Sequence, residues 1–584
     1  MPCKPRGPLR RNHQATGEDP QRRACKVSVN REVIEAVKAE FGEGIVHAVD
    51  RRERRVVLTV RKEILHDLCL FLRDRLGFDH LTSITAVDRS RRVTGMRERQ
   101  LLYYNDFKMV YHVWSYEKKT LVEVRTVLER DDPVVATVTD VWSSANWQER
   151  EAYDLMGIRF DGHKDLRRLL LPEWWEGHPL RKDYDLSPGT WFLPEEEPEE
   201  FPLDVQKPVF PLDLSLPKKV KKKEVSEMIL RIGPVHPGNH GPWLINVKLD
   251  GEIIVDIDPQ IGYIHRGLEK IAENRTWTQY LPVSDRYCWL TAASNNLSYV
   301  LAVEDVLDVT PPPRAQYLRT IALELNRLAS HLLWLAAMGI DLGNLSGFFY
   351  PFREREWMLD LLEYMSGNRL NYNYGRFGGV IFDVDDKFVE KAKKTMKIFR
   401  PRLEEYRDLF EGSRIWKVRT QGVGVISAKD AKDLGVTGPV LRSTGVKADA
   451  RKDDPYAAYP EIDFEIPTRK EGDVYASYEV RMDEMRIASE IIDQCLDNLP
   501  KGPVQMDLGR IEPVGEGISR IEEPRGEIAT YVIGDGGDRP YRVRVKCAEY
   551  INVSALAHMA RGYKIADLIA IIGGLDPCLG GIDR

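Results

Sequence analysis

No helix can run unbroken from Ser187 to Glu227. Pro188, Pro194, Pro198, Pro202, Pro208, Pro211 and Pro217 recur across the segment, each removing a backbone donor and clashing with the preceding turn. An acidic run at Glu195 to Glu200 and a basic run at Lys218 to Lys223 flank these prolines, and no apolar period is sustained. The segment reads as a tether that drapes over a surface, with its basic run solvated or facing acidic lipid. The chain is long enough to build more than one core, with this segment between them.

Before the tether, residues 31–186 read as an α+β domain. Val56 to Val60, Leu101 to Trp114 and Leu121 to Val127 have strand character, while Arg31 to Phe41, Lys62 to Leu76 and Ser143 to Met156 have helical periodicity. After it, residues 228–584 read as a helical bundle with small β elements at both ends. Met228 to Ile232 and Trp243 to Leu249 alternate as strands, a helical tract runs from about Glu273 to Leu409, and Thr530 to Ile533 and Arg542 to Lys546 alternate again. Within the tract Ile321, Leu325, Leu328, Leu332 and Leu335 form one apolar stripe. Residues 1–30, with Arg10, Arg11, Arg22 and Arg23 and no apolar signal core, read as a disordered basic arm.

Composition narrows the function classes. A formal net charge of -6 on 584 residues argues against nucleic acid as the default partner. The longest apolar run, Leu332 to Ile340, contains Gly339 and is too short to span a bilayer. Seven cysteines at positions 3, 25, 69, 288, 495, 547 and 578 include no Cys-x-x-Cys pair. They point to a reducing compartment and offer no local motif for zinc or an iron–sulfur cluster.

Three constellations carry chemistry. In Gly233-Pro-Val-His-Pro-Gly-Asn-His-Gly241, Pro237 and Gly238 rule out the helix that would set His236 and His240 on one metal. The loop is either a rigid turn with surface histidines or a place where backbone and imidazole meet a ligand near neutral pH. Glu324, Arg327 and His331 lie beside the apolar stripe and read as internal pairing, and Arg353-Glu-Arg-Glu356 reads the same way. Asp341, just past that helix, is either a helix-end residue or the partner that orients a histidine. Gly422-Val-Gly424 and Gly534-Asp-Gly-Gly537 lack the context of a dinucleotide site, and no Walker loop is present.

Longer segments resemble a known family. Glu149-Arg-Glu-Ala-Tyr-Asp-Leu-Met-Gly-Ile-Arg-Phe160, Leu166-Arg-Arg-Leu-Leu170 and Gly177-His-Pro-Leu-Arg-Lys-Asp-Tyr184 are similar to the C subunit of respiratory complex I. The histidine loop, Gly262-Tyr-Ile-His-Arg-Gly-Leu-Glu-Lys270, Pro311-Pro-Pro-Arg314, Arg353 to Glu356 and the terminal Leu575-Asp-Pro-Cys-Leu-Gly-Gly-Ile-Asp-Arg584 resemble the D subunit. The resemblance implies a fused C/D polypeptide in the peripheral arm of an ion-translocating NADH:quinone oxidoreductase, at the cytoplasmic face of the membrane. Its D part would share the fold of a NiFe-hydrogenase large subunit. The chain would hold no cofactor alone: quinone is the substrate, and a [4Fe-4S] cluster sits on the B subunit, its main partner. The I subunit and the membrane-embedded H subunit are further partners, through which membrane contact is made.

By that resemblance His240, paired with Asp341, hydrogen-bonds the quinone, with His236 beside it. Arg266 lies near the partner's cluster. The family's quinone-binding tyrosine falls at Trp289 on counting back from Tyr299-Val-Leu-Ala-Val-Glu304, where an indole N–H can donate but cannot titrate. Neighbouring Tyr287 is the alternative donor, although its register points it elsewhere. A family histidine near the cluster falls at Asn371, implying a midpoint potential that depends little on pH. Hydrogenase relatives carry two Cys-x-x-Cys pairs. Here Cys288 and Cys578 remain, but Thr291 and Gly581 replace their partners, so no NiFe centre is expected. A hydrogenase-related ferredoxin-driven complex, sulfur-reducing or deazaflavin-linked, and a scaffold with a disused cavity are the other readings.

Overall fold

The structure, a computed structural model, describes residues 20–52, 54–90, 93–94, 101–102, 105–186 and 228–584. The first nineteen residues and the Pro-rich tether lie outside them. The first helix, α1 (Pro20–Phe41), begins eleven residues earlier than the periodicity predicts, so the basic arm is not irregular up to residue 30. The reason is local: neither Gly nor Pro interrupts the chain from Gln21 to Phe41, and Pro20 stands at the first helical position, where its missing donor costs nothing.

The N-terminal half is a five-stranded sheet with helices against it. Its strands are β1 (Ile45–Arg52), β2 (Arg55–Val60), β3 (His80–Asp88), β4 (Asp106–Ser115) and β5 (Thr120–Glu129). They are ordered β1-β2-β5-β4-β3, with only the β2–β5 pair parallel. The strand expected from Leu101 divides into a two-residue piece at Leu101–Leu102 and β4. The helix expected from Lys62 starts as a tight 3-10 turn and continues as α2 (Leu65–Asp74). Helix α3 (Ala145–Met156) is tied to β3 by Gln148 Oε1, which accepts from the Ile84 amide at 2.8 Å. Gly157, at φ 73°, stops it in the left-handed cap geometry.

The second half opens on an antiparallel sheet of β6 (Met228–Ile232), β7 (Leu244–Asp250) and β8 (Ile253–Gln260). Helices follow: α4 (Ala292–Leu307), α5 (Pro313–Asp341), α6 (Leu345–Ser366), α7 (Asp386–Glu411) and α8 (Val474–Asp497). The helical tract is interrupted by a small ladder, Gly375–Arg376 against Gly379–Val380. All five residues of the apolar stripe are fully buried along α5, which packs on α6 and α8. A second antiparallel sheet, β9 (Val514–Glu523), β10 (Gly526–Asp535) and β11 (Arg542–Lys546), closes the bundle. The result is an α+β domain followed by a helical domain with small sheets at both ends. Among the described residues no helix is long and apolar enough to cross a membrane.

The two halves share one apolar cluster, which runs from Val33 to Ile582. Buried charge crosses the same boundary. Glu151 on α3 meets Arg544 of β11 and, at 2.9 Å, Arg584, and Arg542, held by Glu269 at 2.6 Å within the second half, donates to the Ala86 carbonyl of β3 at 3.2 Å. Burial alone would raise the Glu151 and Glu269 pKa values, but the surrounding guanidinium groups override it and hold both below the usual carboxylate range. Such a network fixes one docking geometry, since any other leaves charges buried without partners.

Candidate functional site

The loop between β6 and β7 is rigid by construction. Asn239 donates to the Trp243 carbonyl at 2.9 Å, and the Trp243 indole returns a bond to the Asn239 carbonyl at 2.8 Å. Gly233, at φ 101°, could carry no side chain, because a Cβ would strike that same Trp243 carbonyl. A short 3-10 turn (Pro237–Asn239) follows, with His236 Nδ1 accepting from the Gly238 amide at 3.2 Å. His236 itself is exposed. The turn ends in His240, held at φ 56° in the left-handed region.

That conformation aims His240 at α5. Its Nε2 lies 2.6 Å from Asp341 Oδ2, and both side chains keep a little exposure, 13% and 11%. Helix α5 includes Asp341 as its last residue, where the sequence suggested a position just beyond the helix. A carboxylate at a helix C-terminus sits against the negative end of the dipole, and an imidazolium beside it relieves that repulsion. Burial works to lower the His240 pKa, yet the hydrogen bond and charge of Asp341 outweigh it and hold the imidazole above its ordinary value. With Nε2 committed to Asp341, Nδ1 makes no hydrogen bond among the described residues and is the atom open to a ligand.

The other sequence-derived residues separate into groups. Trp289 is 44% exposed, with the Arg355 guanidinium 5.9 Å from its ring centroid. Tyr287 is not beside it at the surface. It is fully buried, with its hydroxyl on that of Tyr280 at 2.6 Å, and burial raises its pKa well above the usual phenol value. The short segment between them turns the two aromatic rings to different surroundings, so Tyr287 is corrected to a core residue. Arg266 is exposed and donates to the Arg286 carbonyl at 2.5 Å. Asn371 is partly buried at φ 53°, and its Oδ1 has no partner among the described residues.

Glu324, Arg327 and His331 are fully interior. Arg327 Nε meets Glu324 Oε2 at 3.2 Å, and Glu324 also receives Arg451 at 3.1 Å. His331 Nε2 lies 2.8 Å from Glu484, which Arg442 also clasps at 2.7 Å. Burial lowers the His331 pKa to about 4 despite that carboxylate. These groups form a packed charge network away from solvent.

Cys288 and Cys578, 290 residues apart in sequence, do come together, and a third group joins them. The sulfurs and a carboxylate oxygen of Glu549 all lie within 4.8 Å of one another, all buried. No spacing rule links Glu549 to either cysteine. A NiFe centre does not fit this site: the Thr291 hydroxyl is occupied by Asn295 at 3.2 Å, and Gly581 has no side chain.

Comparison with known proteins gives the class. Residues 58–190 match the family model described as "Respiratory-chain NADH dehydrogenase, 30 Kd subunit", and residues 341–513 and 505–584 match that of the "49 Kd subunit". Two subunit types of the respiratory-chain dehydrogenase are thus present in one chain. The C/D 2 subunit of NADH-quinone oxidoreductase from Aquifex aeolicus is 36% identical over 95% of this chain and 100% of its own length. The C/D subunit from Phocaeicola vulgatus is 39% identical over 90% of this chain and 99% of its own. The D 2 subunit from Solibacter usitatus is 47% identical over 62% of this chain and 98% of its own. The chain belongs to the fused C/D subunit family of NADH-quinone oxidoreductases, which is related to NiFe-hydrogenase large subunits.

Proposed function

We propose that this chain forms one wall of a quinone-reduction site, with His240 as the proton donor and Asp341 as the group that keeps it charged. The observation that carries the reading is the 2.6 Å His240–Asp341 contact at the end of a rigid loop, with the second ring nitrogen left open. Quinone reduction takes two electrons and two protons. A partner, the B subunit with its [4Fe-4S] cluster, would supply the electrons.

On this reading the substrate carbonyl accepts a hydrogen bond from His240 Nδ1–H. As two electrons arrive, one proton moves from Nδ1 to the carbonyl oxygen and the second carbonyl oxygen takes its proton from water, after which the neutral imidazole is reprotonated from solvent. Asp341 fixes the ring through Nε2, as an orienting carboxylate does for a general acid. Trp289, exposed on the chain segment before α4, offers an indole N–H and a flat apolar face to the head group. Arg266 faces the cluster-bearing partner. The chain lies in the peripheral arm at the cytoplasmic side, reaches the membrane through partners such as the I and H subunits, and couples electron transfer to ion translocation.

A photoreactive quinone analogue in the assembled complex tests this. The label is expected in the peptides containing His240 or Trp289, with protection by excess quinone. Labelling confined to other peptides removes the basis for the assignment.

A further inference from the structure

Cys288, Cys578 and Glu549 gather three ligand-type side chains at one buried place. Glu549 is 0% exposed, and neither of its carboxylate oxygens has a hydrogen-bond partner among the described residues. Its charged neighbours are the Glu523 carboxyl, which pushes the Glu549 pKa up, and the Arg525 guanidinium at 4.0 Å; carboxyl groups buried this close together are costly to ionise unless a cation stands among them. Its position is also specific. A Cβ on Gly581 would stand 2.8 Å from Glu549 Oε1, so the absence of a side chain at 581 is what lets this carboxylate reach the two sulfurs.

We propose that Cys288 Sγ, Cys578 Sγ and a Glu549 carboxylate oxygen form a mononuclear site for a borderline-soft divalent cation, zinc by its chemistry. Two thiolates and one carboxylate are a donor set that zinc accepts, with a water completing the tetrahedron. Bonds of about 2.0–2.3 Å hold tetrahedral ligands roughly 3.3–3.8 Å apart, so donors already within 4.8 Å of one another need only small side-chain movements. A guanidinium stands beside the ligands as well, itself paired with a carboxylate. Three deprotonated ligands exceed the cation by one negative charge, and the Arg525 guanidinium stands 3.9 Å from Cys288 Sγ and 4.0 Å from Glu549 Oε1. Asp576 holds that guanidinium in place at 3.0 Å.

Without a cation Cys288 and Glu549 hold their protons more tightly than the free groups do. Burial is the largest cause raising both the Cys288 and the Glu549 pKa, reinforced by their acidic neighbours. Binding therefore releases protons, and the affinity rises with pH. The site also has a place in the fold. Cys288 immediately precedes Trp289, and Cys578 precedes Leu579, whose side chain packs against Gly241 of the histidine loop. An ion here ties together two segments that frame His240, whether or not a quinone is the ligand above it.

The test uses the whole chain, produced in zinc-supplemented and, in parallel, cobalt-supplemented medium. Bound metal is measured by elemental mass spectrometry, and the cobalt form by its thiolate-to-cobalt charge-transfer absorption. Wild type is expected to carry zinc in proportion to protein and to show the cobalt band. The Cys288→Ser, Cys578→Ser double variant is expected to lose both. Glu549→Gln resembles the neutral carboxyl of the empty site and so folds as wild type does. It is expected to lose zinc to a chelator at concentrations at least about tenfold lower. A wild-type chain no richer in zinc than the double-cysteine variant overturns the proposal. So does Glu549→Gln that melts like the metal-free wild type and holds the metal equally well.

Discussion

Asp341→Asn isolates the role given to the carboxylate. Asparagine keeps the shape and can still accept from His240 Nε2 through its amide oxygen, so the loop has no steric reason to move. What is lost is the charge 2.6 Å from the imidazole. A hydrogen bond to a charged group contributes about 1.5–3 kcal/mol, and a tenfold change corresponds to about 1.4 kcal/mol. The variant should therefore lose roughly 10- to 150-fold in quinone reduction at neutral pH. The pH profile carries the finer signature. Asp341 raises the His240 pKa, so the proton-donating form persists below that raised value and is lost as pH rises through it. In Asp341→Asn the alkaline decline must begin at lower pH. The assay is quinone reductase activity of the assembled complex across pH, with complex assembly checked in parallel. A profile whose alkaline limb does not move would refute the pairing as the source of His240's charge, even if the rate fell.

Other outcomes follow from the same geometry. Glu151→Ala leaves Arg544 and Arg584 buried without their shared partner, and should cost about 3–5 kcal/mol in denaturant unfolding; a loss under about 1 kcal/mol would place the network outside the energetics of docking. Gly233→Ala, forced into φ 101° against the Trp243 carbonyl, should lower stability by about 1–3 kcal/mol, and an unchanged melting temperature would contradict the tight loop. His331 is neutral when folded and has its pKa depressed to about 4, so the unfolded state takes up its proton first and wild type loses stability as pH falls from about 6.5 toward 4. His331→Gln lacks that contribution, and its stability deficit should narrow over the same range; a constant deficit would contradict a neutral buried imidazole. Trp289→Tyr should alter quinone affinity without disturbing assembly, and an unaltered affinity would remove Trp289 from the site.

The sequence reveals what local chemistry dictates. The stripe from Ile321 to Leu335 defines the buried face of α5 because it depends on neighbours within a few turns, whereas the Pro-rich tether lies outside the described residues. The start of α1 is hidden because arginine-rich composition suggests disorder, while nothing in the backbone forbids a helix. The site is harder to read. His240 stands out through its loop, but Asp341 lies 101 residues away, and only the family resemblance links them. Register beside Trp289 points Tyr287 to other surroundings, but nothing in the short segment before α4 shows that it is fully buried. Glu549 carries no signal at all: it has no motif, and only the space left by Gly581 brings it to the sulfurs. The charged contacts between the halves are equally hidden, since Glu151 is distant in sequence from Arg544 and Arg584 and all three look like surface residues in composition.

The most direct test of the central claim is quinone turnover by His240→Ala in the assembled complex, with reduction of the partner's cluster followed by paramagnetic resonance in the same sample. The account predicts that the cluster is still reduced while quinone turnover falls at least about tenfold. Turnover equal to wild type, with the complex fully assembled, would contradict it.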